Sequence, residues 1–370
     1  MTVHRLRLGG LAGALAMVAL GVYACSDRSD TTAPGDEPAL ARGGVQGPDL
    51  NAALAAKARY TDVLLRRDGV VGTAVGIGAG GRGVVRVYLA RPGAAPVPAS
   101  LDGVGVETVV TGEISAVLPS ARPGASAAAV PTSRFARPVP IGVSTGNLND
   151  LVYFKTFCTA GTLGARLQGA NNRYYALSNN HVFAVENLGK VGDPIIQPGQ
   201  ADKSCRSTAA DKIGTVAAFV PLKFAKTATN TVDAAVGLVT TATVKNATPA
   251  GGYGTPSATI RTATLNMLVQ KYGRTTVLTH GKVTGLDATI VVNYSNNHKA
   301  TFVHQIVISN TGGTSFSGPG DSGSLIVSDN SAKNPVGLLF AGSPTTTIAN
   351  PIKTVLTTLG TKLGTTLTIR

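Results

Sequence analysis

Tryptophan is absent from this 370-residue chain, aromatic residues of any kind make up 5% of it, and only 14% of its residues are charged. Each scarcity removes a class of function. The formal charge of +14 is carried by basic residues scattered singly among Thr, Ala and Gly, with no run of five or more and no aromatic interleaving. That pattern reads as a solvated basic surface suited to the neighbourhood of anionic lipid or polysaccharide, and it does not imply nucleic acid. Five histidines are present, and His280, His298 and His304 lack metal-ligand spacing to nearby carboxylates, so neither zinc nor any other cofactor is expected. The one long apolar run, Leu8 to Val22, is too short to span a bilayer comfortably. What is abundant is glycine, 45 residues of it, which with low charge suits short strands and tight turns better than long amphipathic helices.

The first 25 residues have the layout of an export signal: His4, Arg5 and Arg7, then the apolar run, then Ala24-Cys25. Val22-Tyr23-Ala24-Cys25 resembles the lipobox of bacterial lipoproteins, in which the Cys is lipidated, although Tyr23 departs from the usual small residue. An ordinary cleaved signal is the alternative, so the expected location is the cell envelope, anchored through Cys25, or the exterior as a secreted protein. With Cys25 set aside, Cys158 and Cys205 remain, and an exported chain is expected to pair them, contributing about 2–4 kcal/mol; two buried free thiols are the alternative.

Two polar, Pro-rich stretches divide the rest. Asp30 to Pro48 reads as a tether, and 119–142, with Pro119, Pro123, Pro131, Pro138 and Pro140, carries no apolar period. The expected organisation is a signal over 1–25, a linker over 26–49, a small α+β domain over 50–118 of pro-domain type, a linker over 119–142 and a main domain over 143–370. In the small domain, Leu50 to Arg66 reads as a helix, followed by β segments at Val70–Gly78, Gly83–Ala90 and Val104–Val110. Gly76-x-Gly78-x-x-Gly81 fits a dinucleotide fingerprint in letters, but Val84-Val85-Arg86-Val87-Tyr88 after it is strand-like, so it marks a hairpin. From about 143 onward short strands recur at regular spacing, arguing for barrels, and only Asn350 to Leu363 shows a helical stripe, through Ile352, Val355, Leu356 and Leu359.

Chemistry concentrates at Gly318-Pro319-Gly320-Asp321-Ser322-Gly323-Ser324-Leu325, a glycine-hemmed turn that can present a serine hydroxyl before an apolar strand. His181 in Ser178-Asn179-Asn180-His181 and Asp233 in Val232-Asp233-Ala234-Ala235-Val236 precede it, giving the order His, Asp, Ser of one known acyl-transfer triad. Asp211 competes with Asp233, and Asp233 is preferred because its setting is the more apolar.

Over about residues 143–370 the sequence resembles the chymotrypsin-like (trypsin-like) serine peptidases, in particular the bacterial secreted type with an N-terminal extension. Cys158-Thr159-Ala160-Gly161-Thr162-Leu163, Ala176 to His181, Gly273-Arg274-Thr275-Thr276, Gly320-Asp321-Ser322-Gly323 and Gly337-Leu338-Leu339-Phe340-Ala341-Gly342 carry the resemblance. It implies an all-β fold of two six-stranded antiparallel barrels with a C-terminal helix and a cleft between them. It implies a serine endopeptidase acting on polypeptide, with His181 as base, Asp233 orienting it, Ser322 as nucleophile and the Gly320 and Ser322 N–H groups as oxyanion hole. It also places Phe316, Ser317, Phe340 and Gly342 at the substrate pocket. No acidic residue stands there, so cleavage after Lys or Arg is disfavoured and an apolar or medium-sized residue is expected; His304 or Ser317 could instead serve a glutamate. Val182 follows His181 where the family has Cys, and the activating Ile-Val-Gly-Gly terminus has no clear counterpart, so Asp321 needs another cation. A monomer is expected. The rival expectation is a catalytically silent surface lipoprotein that uses the barrels as a binding module.

Overall fold

A computed structural model describes residues 48–94, 96–116, 120–121, 131–170, 172–225 and 227–370. The export segment, Cys25 and all but the last residue of the Asp30–Pro48 tether lie outside the described residues. Pro48 opens the first helix, a position where its fixed φ fits and its missing N–H costs nothing. No helix among the described residues is long and apolar enough to cross a membrane.

Two β-barrels form the main body. In the first, Tyr174–Ser178 pairs with Ala235–Val239, then Lys212–Phe219, Pro194–Ile196, Ser144–Asn147 and Gly161–Thr162 follow in order. Gly161–Thr162 runs on into Ala165–Gly169, which pairs back onto Tyr174–Ser178, closing the ring. Inside lie Ile141, Leu163, Phe183, Ile195 and Ile213. The second barrel runs Lys299–Asn310, Thr346–Pro351, Pro335–Gly342, Leu325–Ser328, Leu268–Gly273 and Val277–Asn293, and the last pairs with the first. Closure leaves no free edge within either ring. The helix Ile352–Leu363 buries the expected stripe of Ile352, Val355, Leu356 and Leu359. These side chains join Leu167 and Leu177 of the first barrel to Leu325 and Leu338 of the second in one apolar cluster.

Several short strands had no apolar signal. Ser144–Asn147 is polar yet wholly buried, because its side chains are bonded one by one. The Ser144 hydroxyl donates to Asp202, Thr145 to the Ile196 carbonyl at 2.7 Å and the Asn147 amide to the Phe183 carbonyl at 2.8 Å.

The segment expected as a separate α+β domain contains the anticipated helix, Pro48–Leu65, and the strands Val70–Ile77, Gly83–Leu89 and Val104–Val110. It shares a sheet with the second barrel. Val70–Ile77 pairs antiparallel with the 17-residue strand Val277–Asn293, with Gly72 opposite Ile290 and Thr73 opposite Thr289. The reason is in the strand itself: seven of its eight residues are buried, so both faces and both edges need cover. Lys57 of the helix reaches across to Asp287 at 3.1 Å and Thr289 at 3.0 Å.

The linker expected over 119–142 is described continuously only from Pro131, and from there it packs onto the first barrel. Val139 donates to the Thr243 carbonyl at 2.9 Å and Ile141 to the Ala247 carbonyl at 3.1 Å, with both side chains buried.

Candidate active site

His181 sits in the single helical turn Asn180–Phe183 that follows the strand Tyr174–Ser178, and every residue of that turn is buried. Its Nδ1–H donates to Asp233 Oδ2 at 2.6 Å, and its backbone N–H to Asp233 Oδ1 at 3.3 Å. Asp233 is fully buried just before the strand Ala235–Val239, flanked by buried Val232 and Ala234. Its backbone is clamped on both sides: the Asn179 amide donates to its carbonyl at 2.7 Å, and its N–H donates to Asn350 Oδ1 at 3.0 Å. The Tyr294 hydroxyl gives Oδ2 a further donor at 2.8 Å. Burial first, and then the adjacent Asp233 carboxylate, push the Tyr294 hydroxyl well above its ordinary pKa, so it stays a donor. With Nδ1 committed to the carboxylate, Nε2 is left as the acceptor nitrogen, and it is buried with no hydrogen-bond partner.

Ser322 lies on a turn between Gly320, φ +98°, and Gly323, φ +97°. Both glycines are required by that backbone, and a Cβ on Gly323 would stand 2.2 Å from the Thr162 carbonyl and 2.3 Å from Ser178 Oγ. Thr162 ties the turn to the first barrel: its N–H donates to the Ser322 carbonyl at 2.8 Å and its hydroxyl to the Gly320 carbonyl at 2.7 Å. Among the described residues, neither the Gly320 nor the Ser322 N–H has a partner. Two unpaired donors at a turn of this kind are suited to receive an anionic oxygen. The Ser322 hydroxyl donates to the Phe340 carbonyl at 3.4 Å rather than to His181. Both groups nevertheless converge on one stretch of chain, since a Cβ on Gly161 would meet Val182, next to His181, and the Ser322 carbonyl.

Asp321 is what holds the turn. Oδ1 accepts from the Thr275 and Thr276 N–H groups at 2.8 and 3.2 Å, and Oδ2 from the Gly318 N–H at 3.0 Å and the Thr276 hydroxyl at 2.6 Å. The cation it needs is Lys271, whose Nζ is 3.5 Å from Oδ2, with both side chains fully buried. Lys271 also donates to the Val277 carbonyl at 2.9 Å and to the Thr276 hydroxyl. Burial lowers the Lys271 pKa, with the Asp321 charge opposing that shift. Arg274 of the Gly-Arg-Thr-Thr run points elsewhere, pairing with Asp202.

The structure thus brings His181, Asp233, Ser322 and Gly320 around one stretch, and sets Asp211 apart. Asp211 closes a capping box with Thr208 and pairs with Lys203 at 2.9 Å. Phe316 covers Lys271 Nζ at 5.9 Å from its ring centroid, and Ser317 shares a hydrogen bond with Thr347 at 2.5 Å beside Gly342. His304 is at neither place, since it bonds Asp287 under the N-terminal helix. Cys158 and Cys205 form a disulfide. Sequence reasoning missed Tyr294, Asn350 and Lys271. A lysine within the strand-like Leu268-Val269-Gln270-Lys271-Tyr272 was the one legible signal; Tyr294 and Asn350 act at strand ends that look like any other.

No family model and no curated protein matches the chain. In structure it is similar to Thermobifida fusca Protease A, at 17% identity over 63% of this chain and 100% of that one with a TM-score of 0.41, to Nocardiopsis Protease, at 17% over 63% and 100% with a TM-score of 0.40, and to Cellulomonas bogoriensis chymotrypsin, at 18% over 56% and 90% with a TM-score of 0.36.

Proposed function

We propose that the protein is an exported serine endopeptidase that cuts polypeptides through an acyl-enzyme on Ser322. The observation that carries this reading is the Asp233–His181 pair with Nε2 left open, next to a serine on a turn whose two N–H groups are unpaired. Serine at its ordinary acidity is a weak nucleophile, and an adjacent imidazole that takes its proton contributes about 10²–10⁴ in rate. Asp233 holds the tautomer and stabilises the imidazolium, with Tyr294 and Asn350 fixing Asp233 in turn. The Gly320 and Ser322 N–H groups meet the oxyanion, each contributing on the order of 3 kcal/mol in the transition state. Lys271 supplies internally the counter-charge that keeps Asp321, and so the turn, in place. The disulfide supports an oxidising compartment, whether envelope or exterior.

A second reading, a silent binding module, draws support from the Ser322 hydroxyl pointing at the Phe340 carbonyl. A fluorophosphonate probe separates the two. Labelling of the purified chain that is lost in Ser322→Ala is expected; a folded chain that stays unlabelled, even after removal of residues 48–117, leaves only the binding module.

A further inference from the structure

The cleft is not empty of chain. Ser115 pairs with Gly342, the end of the strand Pro335–Gly342, through two antiparallel hydrogen bonds: Ser115 N–H to the Gly342 carbonyl and Gly342 N–H to the Ser115 carbonyl, both 3.0 Å. On its other side the same short segment is bonded to Asn293, which donates to the Ile114 carbonyl and accepts from the Ala116 N–H, each at 2.9 Å. Ile114 and Ala116 are buried in one cluster with Tyr294, Phe340 and Ala341. A few residues later Ser120–Ala121 pairs antiparallel with Cys158–Thr159 of the first barrel. Ser322 lies between these two anchors, bonded through its carbonyl to Thr162 and through its hydroxyl to Phe340. Five residue steps separate Ser115 from Ser120 and span at most roughly 18 Å, which confines the connection to the cleft. This is the way an extended peptide adds to a sheet edge, with main-chain bonds supplying the affinity.

We propose that the segment Glu113–Ala121 is bound as this enzyme's own substrate, that Ser322 cuts the Val117–Leu118 bond, and that other substrates are extended, uncharged segments with a small or β-branched aliphatic residue before the cut. The proposal rests on the endopeptidase reading above. The register identifies the bond. Stepping the Ser115–Gly342 pairing two residues along each strand sets position 117 opposite Phe340, whose carbonyl receives the Ser322 hydroxyl. The bond between Ser322 Oγ and the Val117 carbonyl carbon forms, the C–N bond to Leu118 breaks, and His181 passes the serine proton to the departing Leu118 amine. One water then hydrolyses the ester, giving a carboxylate at Val117 and restoring Ser322. The N-terminal piece stays bound through Val70–Ile77 and Lys57, so Ile114-Ser115-Ala116-Val117 holds the cleft as product.

The test is to incubate the purified full chain and its Ser322→Ala variant, follow intact mass and sequence any new N-terminus. Wild type is expected to yield a second chain beginning at Leu118, at a rate independent of protein concentration, while Ser322→Ala stays whole. Val117→Ile keeps the cut and Val117→Asp loses it, and a peptide anilide of Ile-Ser-Ala-Val is cut faster than its Ile-Ser-Ala-Lys counterpart by on the order of a hundredfold. A cut elsewhere, a cut that persists in Ser322→Ala, or a preference for the lysine peptide overturns the assignment. An uncut wild type that still labels with the fluorophosphonate overturns it while leaving the endopeptidase reading standing; a chain neither cut nor labelled removes both.

Discussion

Asp233 in the first barrel and Asp321 in the second are each fully buried, and each is bonded on all sides, yet their partners differ in kind. Asp321 faces a lysine and a ring of fixed N–H and O–H donors. Asp233 faces an imidazole, a phenol and backbone, none of which carries a standing positive charge at neutral pH. A buried carboxylate whose charge is met is a piece of architecture. One whose charge is met only when a neighbouring ring takes up a proton is a device for favouring that proton's arrival, as acyl transfer requires.

Breaking the second arrangement is expected to have the largest effect on rate. Asp233→Asn keeps the packing but reverses the polarity of one bond to His181, and kcat falls by about 10⁴-fold while the thermal melt changes little. Breaking the first is expected to act on folding. Lys271→Met leaves Asp321 buried and unpaired and costs about 3–5 kcal/mol in urea unfolding, most of which Lys271→Met combined with Asp321→Asn restores. Tyr294→Phe removes one donor from Asp233; kcat is expected to drop about tenfold with KM unchanged, about 1.4 kcal/mol.

A third buried carboxylate sharpens the contrast, because Asp150 has no cation at all. Burial pushes it up to about 6, against the bonds its Oδ2 accepts from the Thr159 N–H and hydroxyl at 2.7 and 2.9 Å. Its folded pKa lies above the unfolded one, so the folded state binds the extra proton, and stability falls as pH rises from about 4 to about 6. Asp150→Asn is expected to raise the melting temperature at pH 7.5, by the equivalent of about 2–3 kcal/mol at most, with the gain gone by pH 4.

The barrels were legible because inward β-branched residues recur between glycine turns, and the C-terminal helix because its stripe is apolar. The strand Ser144–Asn147 was illegible because its burial is secured by hydrogen bonds rather than apolar surface. Asp233 could be preferred over Asp211 on its apolar flanks alone, and the structure sets Asp233 against His181 and Asp211 against Lys203. Lys271 stood beside the Gly-Arg-Thr-Thr run, but the nearer and more basic Arg274 masked it, and which cation turns inward depends on the strand's facing. Nothing local could reveal that Ser115 meets Gly342, since the two are brought together only by the closure of a barrel around residues far along the chain.

The strand Val277–Asn293 extends beyond what its own barrel needs, and Val70–Ile77 occupies that surplus length. Residues 143–370 alone therefore carry an uncovered row of N–H and C=O groups around Leu286, Thr289 and Ile290, a template for pairing between molecules. For anyone producing the protein, the practical outcome is one of solubility. The shortened form will self-associate in proportion to its concentration, and adding residues 48–117 as a separate polypeptide will keep it dispersed.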